Sequence, residues 1–216
     1  KTPLTVMNLS ADIIRSEKLP EAGRTKHLDR ISNQVKHMND LVNQTLRLRR
    51  LIDPSYPLEI QIVDIQPLLQ KLADDAEGLA KDRVVNLHIG EDAPAQITTD
   101  PDVLRHILMN LLTNAVKYSD DAVDLTASYD PMTQNIQFSV HDQGIVIAPE
   151  DIERVFAPFY RANNALGQAG TGLGLAISRD GVMKIGGTIR CESQPDNGTT
   201  FHVVVPVDLA VAALES

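Results

Sequence analysis

Apolar residues in the first 52 positions recur at helical spacing and predict two helices joined by a turn at 19–23. The first helix is expected from Pro3 to about Ser16, and the second from about Arg24 to Leu51. In the second helix the apolar positions lie three or four residues apart, close to the coiled-coil period of about 3.5. These positions, which we call the seam, are Leu28, Ile31, Val35, Met38, Val42, Thr45, Leu48 and Ile52.

The predicted hairpin is too thin to bury the seam by itself. We therefore expect two copies of the chain to associate through it as a homodimer with a four-helix bundle. Docking of the seam onto the rest of the same chain is the alternative.

The pattern changes after Asp53-Pro-Ser-Tyr-Pro57, whose two prolines mark a linker. Alternating apolar and polar residues predict strands at 58–62, 84–89, 96–99, 122–129, 135–141, 188–193 and 200–205. Helical spacing predicts helices at 66–81, from Asp100-Pro101 through Tyr118, and at 173–185, with a short helix at 150–156. The fold class is therefore α+β. A helical hairpin at 1–53 precedes a domain at 54–216, in which helices cover one face of a mixed sheet.

The helix that follows Asp100 has an unusual polar face. Its apolar residues would face the core, whereas His106, Asn110, Asn114 and Lys117 stack along the other side at steps of four, four and three. Asn has a mediocre helix propensity, so two amides in register on one face suggest a ligand. A surface helix that carries two Asn residues by chance is the alternative.

Composition narrows the functional classes. The chain has 216 residues, of which 43% are hydrophobic and 23% charged, as is usual for a soluble globular protein. A formal net charge of −9 argues against a nucleic-acid-binding surface. The single cysteine, Cys191, excludes an internal disulfide and suits a reducing cytosol. No apolar run approaches the roughly 20 residues that cross a bilayer, so we expect no membrane contact within these residues.

Three further stretches bear on the ligand. Asp142-Gln-Gly144 puts a carboxylate at the end of a strand, and Phe156-Ala-Pro-Phe159 is aromatic in a chain poor in aromatic residues. Gly170-Thr-Gly172-Leu-Gly174 runs directly into a helix, where backbone N–H groups and the helix dipole favour phosphate. Each of these signals is weak alone.

Together and in this order, these stretches resemble the ATP-binding domain of the sensor histidine kinases, which share a superfamily with DNA gyrase and the MutL proteins. Asn110–Tyr118 is similar to the family's Asn-rich box, and Asp142–Gly144 and Gly170–Leu175 to its two glycine boxes. Phe156–Phe159 is similar to its Phe box, and Gly198-Thr-Thr-Phe201 to its closing turn. The resemblance covers about residues 58–207. It implies a kinase that binds ATP with Mg²⁺ and transfers the γ-phosphate to a histidine.

The resemblance also implies roles for residues on the helix and the first glycine box. Asn114 would coordinate Mg²⁺, and Asn110 would support the metal or a water near the γ-phosphate. Lys117 would contact phosphate and Tyr118 would pack against the adenine. Asp142 would accept a hydrogen bond from the adenine amine. Gly144, which has no side chain, would let the base lie close to the backbone.

The second glycine box would form the phosphate-facing end of a lid spanning about 157–171. The cofactor-binding residues implied there are Arg161, Gly170, Thr171, Gly172, Leu173 and Gly174.

The opening Lys1-Thr-Pro-Leu-Thr5 resembles the end of the family's phosphoacceptor motif. This register makes Thr2 a candidate in the reverse phosphatase reaction and places the acceptor histidine just before residue 1. We therefore expect a fragment of a longer protein, with any membrane anchor outside these residues. The resemblance further implies the cytoplasm as its location and the receiver domain of a response regulator as its partner.

Val146 departs from the family pattern, which has a second glycine there. If that position needs a positive φ or close approach of the nucleotide, a β-branched residue fits badly. One alternative is therefore a degenerate dimeric scaffold with weak or absent ATP turnover, and Val146→Gly would then raise ATP affinity. A gyrase-like ATPase is a second alternative, disfavoured because Asn110 stands where such an enzyme would carry a catalytic glutamate.

Overall fold

The structure is a computed structural model that describes residues 3–15, 20–52, 57–79, 83–162 and 170–209. It divides into two compact units, residues 1–49 and 50–216. The sequence-based boundary at 53/54 stays a prediction, since 53–56 lie outside the described residues. Thr2 and the part of the predicted lid at 163–169 also lie outside them.

The first unit contains the predicted helices, α1 (Pro3–Arg15) and the first part of α2, which runs over Glu21–Ile52. The second helix begins three residues earlier than expected. The carbonyl of Pro20 accepts hydrogen bonds from the N–H groups of Gly23 (2.9 Å) and Arg24 (3.1 Å), so residues 21–23 of the predicted turn belong to the first helical turn. Of the seam, Leu28 (56% exposed), Val35 and Val42 remain exposed in the single chain.

A five-stranded sheet organises the second unit. Its strands are β2 (Val85–Ile89), β4 (Val123–Asp130), β5 (Asn135–Asp142), β6 (Thr188–Gln194) and β7 (Gly198–Pro206). They lie in the order β2-β4-β5-β7-β6. Only the β2–β4 pair is parallel, so the sheet is mixed. The strands β1 (Gln61–Asp64) and β3 (Gln96–Thr99) form a separate antiparallel pair.

Three helices, α3 (Ile65–Glu77), α4 (Pro101–Tyr118) and α5 (Gly174–Lys184), pack on the sheet, with α4 between the other two. Successive residues of β4, β5 and β7 alternate between the two faces of the sheet. The apolar residues face the core and the more polar ones face the opposite side, as expected for an antiparallel sheet with one covered face. Asp100 caps α4: its Oδ1 accepts from the N–H groups of Asp102 and Val103, both at 3.0 Å. Two short 3-10 turns, Pro149–Asp151 and Arg154–Phe156, replace the short helix predicted at 150–156. These elements confirm the α+β fold class.

Two elements differ from the pattern. The alternation at 58–62 predicted Leu58, Ile60 and Ile62 on one face, but β1 begins at Gln61 and buries Val63, leaving Ile62 70% exposed. The helix predicted at 66–81 ends at Glu77. Gly78 follows, and its N–H donates to the Asp74 carbonyl (3.1 Å). Among the described residues, no helix is both long and apolar enough to span a membrane.

Candidate functional site

Asp142 ends β5 with its carboxylate in the protein interior, only 4% exposed. Burial raises its pKa to about 6, against the opposing effects of a hydrogen bond from Gly144 and the charge of His141. The Gly144 N–H donates to Asp142 Oδ1 at 2.9 Å. The other oxygen has no protein hydrogen bond within the described chain, so it is available as an acceptor.

The loop after Asp142 is held closely against the end of α4. A Cβ on Gly144 would lie 2.3 Å from the carbonyl oxygen of Tyr118, so only glycine fits there. The Ile145 N–H donates to the same carbonyl at 3.3 Å. The turn at Gly144 therefore joins β5 to α4 through backbone contacts.

Val146 lies in this loop and is half-buried. It is not among the described non-glycine residues with positive φ, which are Gln134, Phe159 and Asp196. The backbone conformation that would have made valine unfavourable at this position is therefore not adopted.

The polar face of α4 is directed towards the glycine-rich segment. Asn110 Nδ2 donates to Ser178 Oγ on α5 at 2.8 Å, and a Cβ on Gly174 would lie 2.3 Å from Asn110 Oδ1. Asn110 thus links α4 to the first turn of α5. Asn114, one turn further along α4, is half-buried and makes no side-chain hydrogen bond within the described chain.

Lys117 lies at the far end of this face. Its Nζ donates to the hydroxyl of Tyr118 (2.8 Å) and is 4.3 Å from the centre of the Tyr118 ring. A Cβ on Gly170 would lie 3.0 Å from the same Nζ. The cation therefore stands next to the start of the second glycine box.

The glycine box is fixed to the Phe box. Gly172 has φ +72°, and its carbonyl accepts a hydrogen bond from the N–H of Phe159 at 2.8 Å. Thr171 Oγ1 accepts from the N–H of Leu173 at 3.2 Å, directly before α5. Leu173 is buried, so it supports the loop from the core.

The structure thus brings together most of the residues predicted from the sequence. Arg161 is half-buried at the edge of the described segment before 163–169, and its contact with phosphate stays a prediction. His106 is exposed, with Nδ1 2.6 Å from the carbonyl oxygen of Asp102 on its own helix.

Sequence reasoning missed three residues that support the site: Ser178, Ser193 and Thr199. Ser178 contacts Asn110, whereas Ser193 and Thr199 hold the loop around Val146. Thr199 belongs to the Gly198–Phe201 motif, which could have indicated it. The two serines come into place only through the pairing of strands and the packing of helices.

Two family models match the chain. Residues 99–209 match the family described as histidine kinase-, DNA gyrase B- and HSP90-like ATPase, and residues 1–54 match the His kinase A (phospho-acceptor) domain. The chain is 34% identical over 152 residues to the sensor-like histidine kinase SenX3 of Mycolicibacterium smegmatis. That alignment covers 68% of this chain and 39% of SenX3.

Solved structures share this fold. The full-length structure of ShkA in complex with AMPPNP has a TM-score of 0.74 and 28% identity, covering 95% of this chain and 46% of that one. The histidine kinase ThkA in complex with the response regulator TrrA has a TM-score of 0.78, covering 96% of this chain and 58% of that one. At 19% identity, ThkA shows the shared fold alone.

The match to the ATPase family spans more than half of the chain, which therefore belongs to that family. With the phospho-acceptor domain preceding it, the chain is a member of the sensor histidine kinases. It spans well under half of the length of SenX3.

Proposed function

We propose that this chain is the cytoplasmic kinase core of a sensor histidine kinase, which binds ATP with Mg²⁺ and directs the γ-phosphate to a histidine. The observation that carries the proposal is the meeting of α4 with the second glycine box. The polar face that ends in Lys117 lies against Gly170 and Gly174, where helix N–H groups favour phosphate.

Each end of the site would bind one part of ATP. Asp142 has one oxygen committed to Gly144 and one left for the exocyclic amine of adenine. Lys117 would place its charge beside the phosphates, with the glycine segment supplying backbone donors. Transfer to an acceptor imidazole then depends on positioning and charge neutralisation, for which these groups are suited.

The described residues fit Mg²⁺ bound mainly through the nucleotide. They contain no group of three His, Cys, Asp or Glu residues that could hold a metal. Mg²⁺ commonly keeps several waters and takes phosphate oxygens, needing few protein ligands. Asn114, whose side-chain amide has no hydrogen bond in the described chain, would supply one oxygen ligand to the ion. Asn110 would support it. The ion would neutralise charge on the phosphates.

The hairpin would form the homodimer. Leu4 and Leu9 on α1 are more than half exposed, as are Leu28 and Val42 on α2. Apolar surface of this extent favours association with a second copy. A response-regulator receiver domain would take the phosphoryl group from the histidine. ThkA, which has this fold, forms such a complex with TrrA.

The two alternatives receive less support. The scaffold depended on a poor fit of valine at position 146, through either a positive φ or close approach of the nucleotide, and the φ of Val146 is not positive. The ATPase needs a catalytic carboxylate on α4 where Asn110 instead contacts Ser178.

Labelled ATP and Mg²⁺ test the proposal. The chain is expected to bind ATP and to release little free phosphate. A version that includes the preceding residues should acquire acid-labile phosphate on the protein. Asn114→Ala should reduce Mg²⁺-dependent ATP binding about tenfold or more, and Asn86→Ala, on the sheet face away from the helices, should not. Rapid release of free phosphate would support the ATPase, and absence of ATP binding would support the scaffold.

A further inference from the structure

Two hydroxyl groups at the ends of β6 and β7 bracket Val146. The N–H of Ile147 donates to Ser193 Oγ at 2.9 Å, and Thr199 Oγ1 donates to the carbonyl of Ile145 at 3.3 Å. The two hydroxyl oxygens are 2.8 Å apart. Both backbone groups flanking Val146 are therefore held by the sheet.

The two hydroxyl groups form a relay between the peptide groups on either side of Val146. A hydroxyl has one proton, and either oxygen can be the donor across the 2.8 Å contact. When Thr199 donates to Ile145, Ser193 donates to Thr199 and its oxygen accepts from Ile147. The carbonyl of Gly198, 3.4 Å from Ser193 Oγ, is a longer alternative acceptor for Ser193. The relay connects Ile147 through Ser193 and Thr199 to Ile145.

The relay lies in the same row of the sheet as Asp142. In the strand registers Asp142 pairs with Thr199, and Thr199 pairs with Ser193. A Cβ on Gly198 would lie 1.9 Å from the carbonyl oxygen of Asp142, so β7 also packs closely against the carboxylate's own backbone. The loop from Gly144 to Ile147 is thereby held between α4 on one side and Ser193 with Thr199 on the other.

We propose that Ser193 is a positioning residue for recognition of the nucleobase, acting through the loop that follows Asp142. It fixes the backbone around Val146 and so sets which exocyclic group the open oxygen of Asp142 meets. This inference rests on the proposed binding of ATP. Its particular consequence is discrimination between an amine and a carbonyl at that position of the purine.

The test compares ATP with inosine triphosphate, which carries a carbonyl where ATP carries the amine. Ser193→Ala removes the hydroxyl partner of Thr199 and the acceptor for Ile147. Its dissociation constant for ATP should rise about tenfold, with little change for inosine triphosphate, so the preference for ATP should shrink. Ser193→Thr keeps the hydroxyl and should restore the preference to within about twofold. Ser128→Ala, on an exposed part of β4, is the matched control.

Thermal unfolding of each variant is measured in parallel. If Ser193→Ala weakens both nucleotides equally, or lowers only the melting temperature, its role is structural and the inference is overturned. An unchanged preference for ATP in Ser193→Ala overturns it as well. A wild-type chain that binds neither nucleotide would instead overturn the proposed function.

Discussion

The two ends of the candidate site are built differently. At the Asp142 end, the Tyr118 carbonyl of α4 and the hydroxyl groups of Ser193 on β6 and Thr199 on β7 fix the loop at Gly144–Ile147. A Cβ added to Gly144 would meet the backbone of Tyr118. At the Lys117 end, the neighbour of Gly170 is the tip of a flexible side chain, and Asn114 makes no side-chain hydrogen bond in the described chain.

This difference suits the two parts of a nucleotide. A base is rigid and is recognised by a few directed hydrogen bonds, which a preformed acceptor such as Asp142 supplies at low entropic cost. Phosphates change during transfer, and groups that can move with them are more useful there. We therefore expect substitution of Asp142, or of Gly144 that holds it, to have a larger effect than substitution of Gly170 at the Lys117 end.

The largest effect is expected from Asp142→Asn. Asparagine replaces one carboxylate oxygen with an NH2 donor, so the two positions that face the Gly144 N–H and the adenine amine can no longer both accept. ATP affinity should fall about 10- to 100-fold, measured by titration calorimetry. The free energy of unfolding at pH 7 should nevertheless rise by about 1–3 kcal/mol, because a buried carboxylate with a raised pKa destabilises the fold above that pKa.

The pH dependence supplies the control for this variant. Below pH 6 the folded state holds a proton on Asp142 that the unfolded state has lost, down to the ordinary pKa near 3.8. Wild-type stability relative to Asp142→Asn should therefore increase as the pH falls from 7 to 4. Equal ATP affinity in the two proteins would show that Asp142 does not receive the adenine amine.

A smaller effect is expected from Gly144→Ala. The new Cβ would lie 2.3 Å from the Tyr118 carbonyl oxygen and 2.7 Å from Asp142 Oδ1, so the backbone must shift. Overpacking of this kind costs about 1–3 kcal/mol, measurable by denaturant unfolding, and should displace the carboxylate and weaken ATP binding.

Two other glycines provide matched controls. A Cβ on Gly78 would come no closer than 3.5 Å to its neighbours, so Gly78→Ala should leave stability unchanged or slightly raised. Gly170→Ala would meet Lys117 Nζ at 3.0 Å, which a lysine can relieve by moving, and the Tyr118 hydroxyl at 4.0 Å, an ordinary contact. If Gly170→Ala proved as damaging as Gly144→Ala, the contrast between the two ends of the site would be wrong.

The sequence predicted most of this site because its motifs are local. Asp142 and Gly144 are two residues apart, and the Asn110, Asn114 and Lys117 face follows from helical period alone. The contacts that tie the site together are not local. Ser178 lies 68 residues from Asn110, and Ser193 lies 46 residues from Ile147. No period or motif links such pairs, since strand register and helix packing determine them.

The same limit explains the errors at the edges of elements. At 58–62 the apolar alternation was real, but pairing with β3 selected the opposite register and buried Val63. At 20–23 the proline and glycine signalled a turn, whereas the Pro20 carbonyl could equally begin a helix. Local signals of this kind identify an element better than they fix its ends.

The smallest effect is expected from Val146→Gly. The sequence suggested that glycine there would raise ATP affinity, but the φ of Val146 is not positive and Ser193 and Thr199 hold both flanking peptide groups. The substitution should change ATP affinity less than about threefold, measured by titration calorimetry, and should cost about 0.5–1 kcal/mol of stability because glycine is freer in the unfolded chain. Tightening of tenfold or more would mean that the valine side chain itself limits access of the base, which would restore the weak-binding scaffold as the better description. The double variant Val146→Gly with Ser193→Ala distinguishes a loop held by hydroxyl groups from a steric effect of the valine side chain. If the hydroxyl groups hold the loop, the double variant should lose more ATP affinity than the sum of the two single losses. If valine acts sterically, the two changes in ATP affinity should be additive.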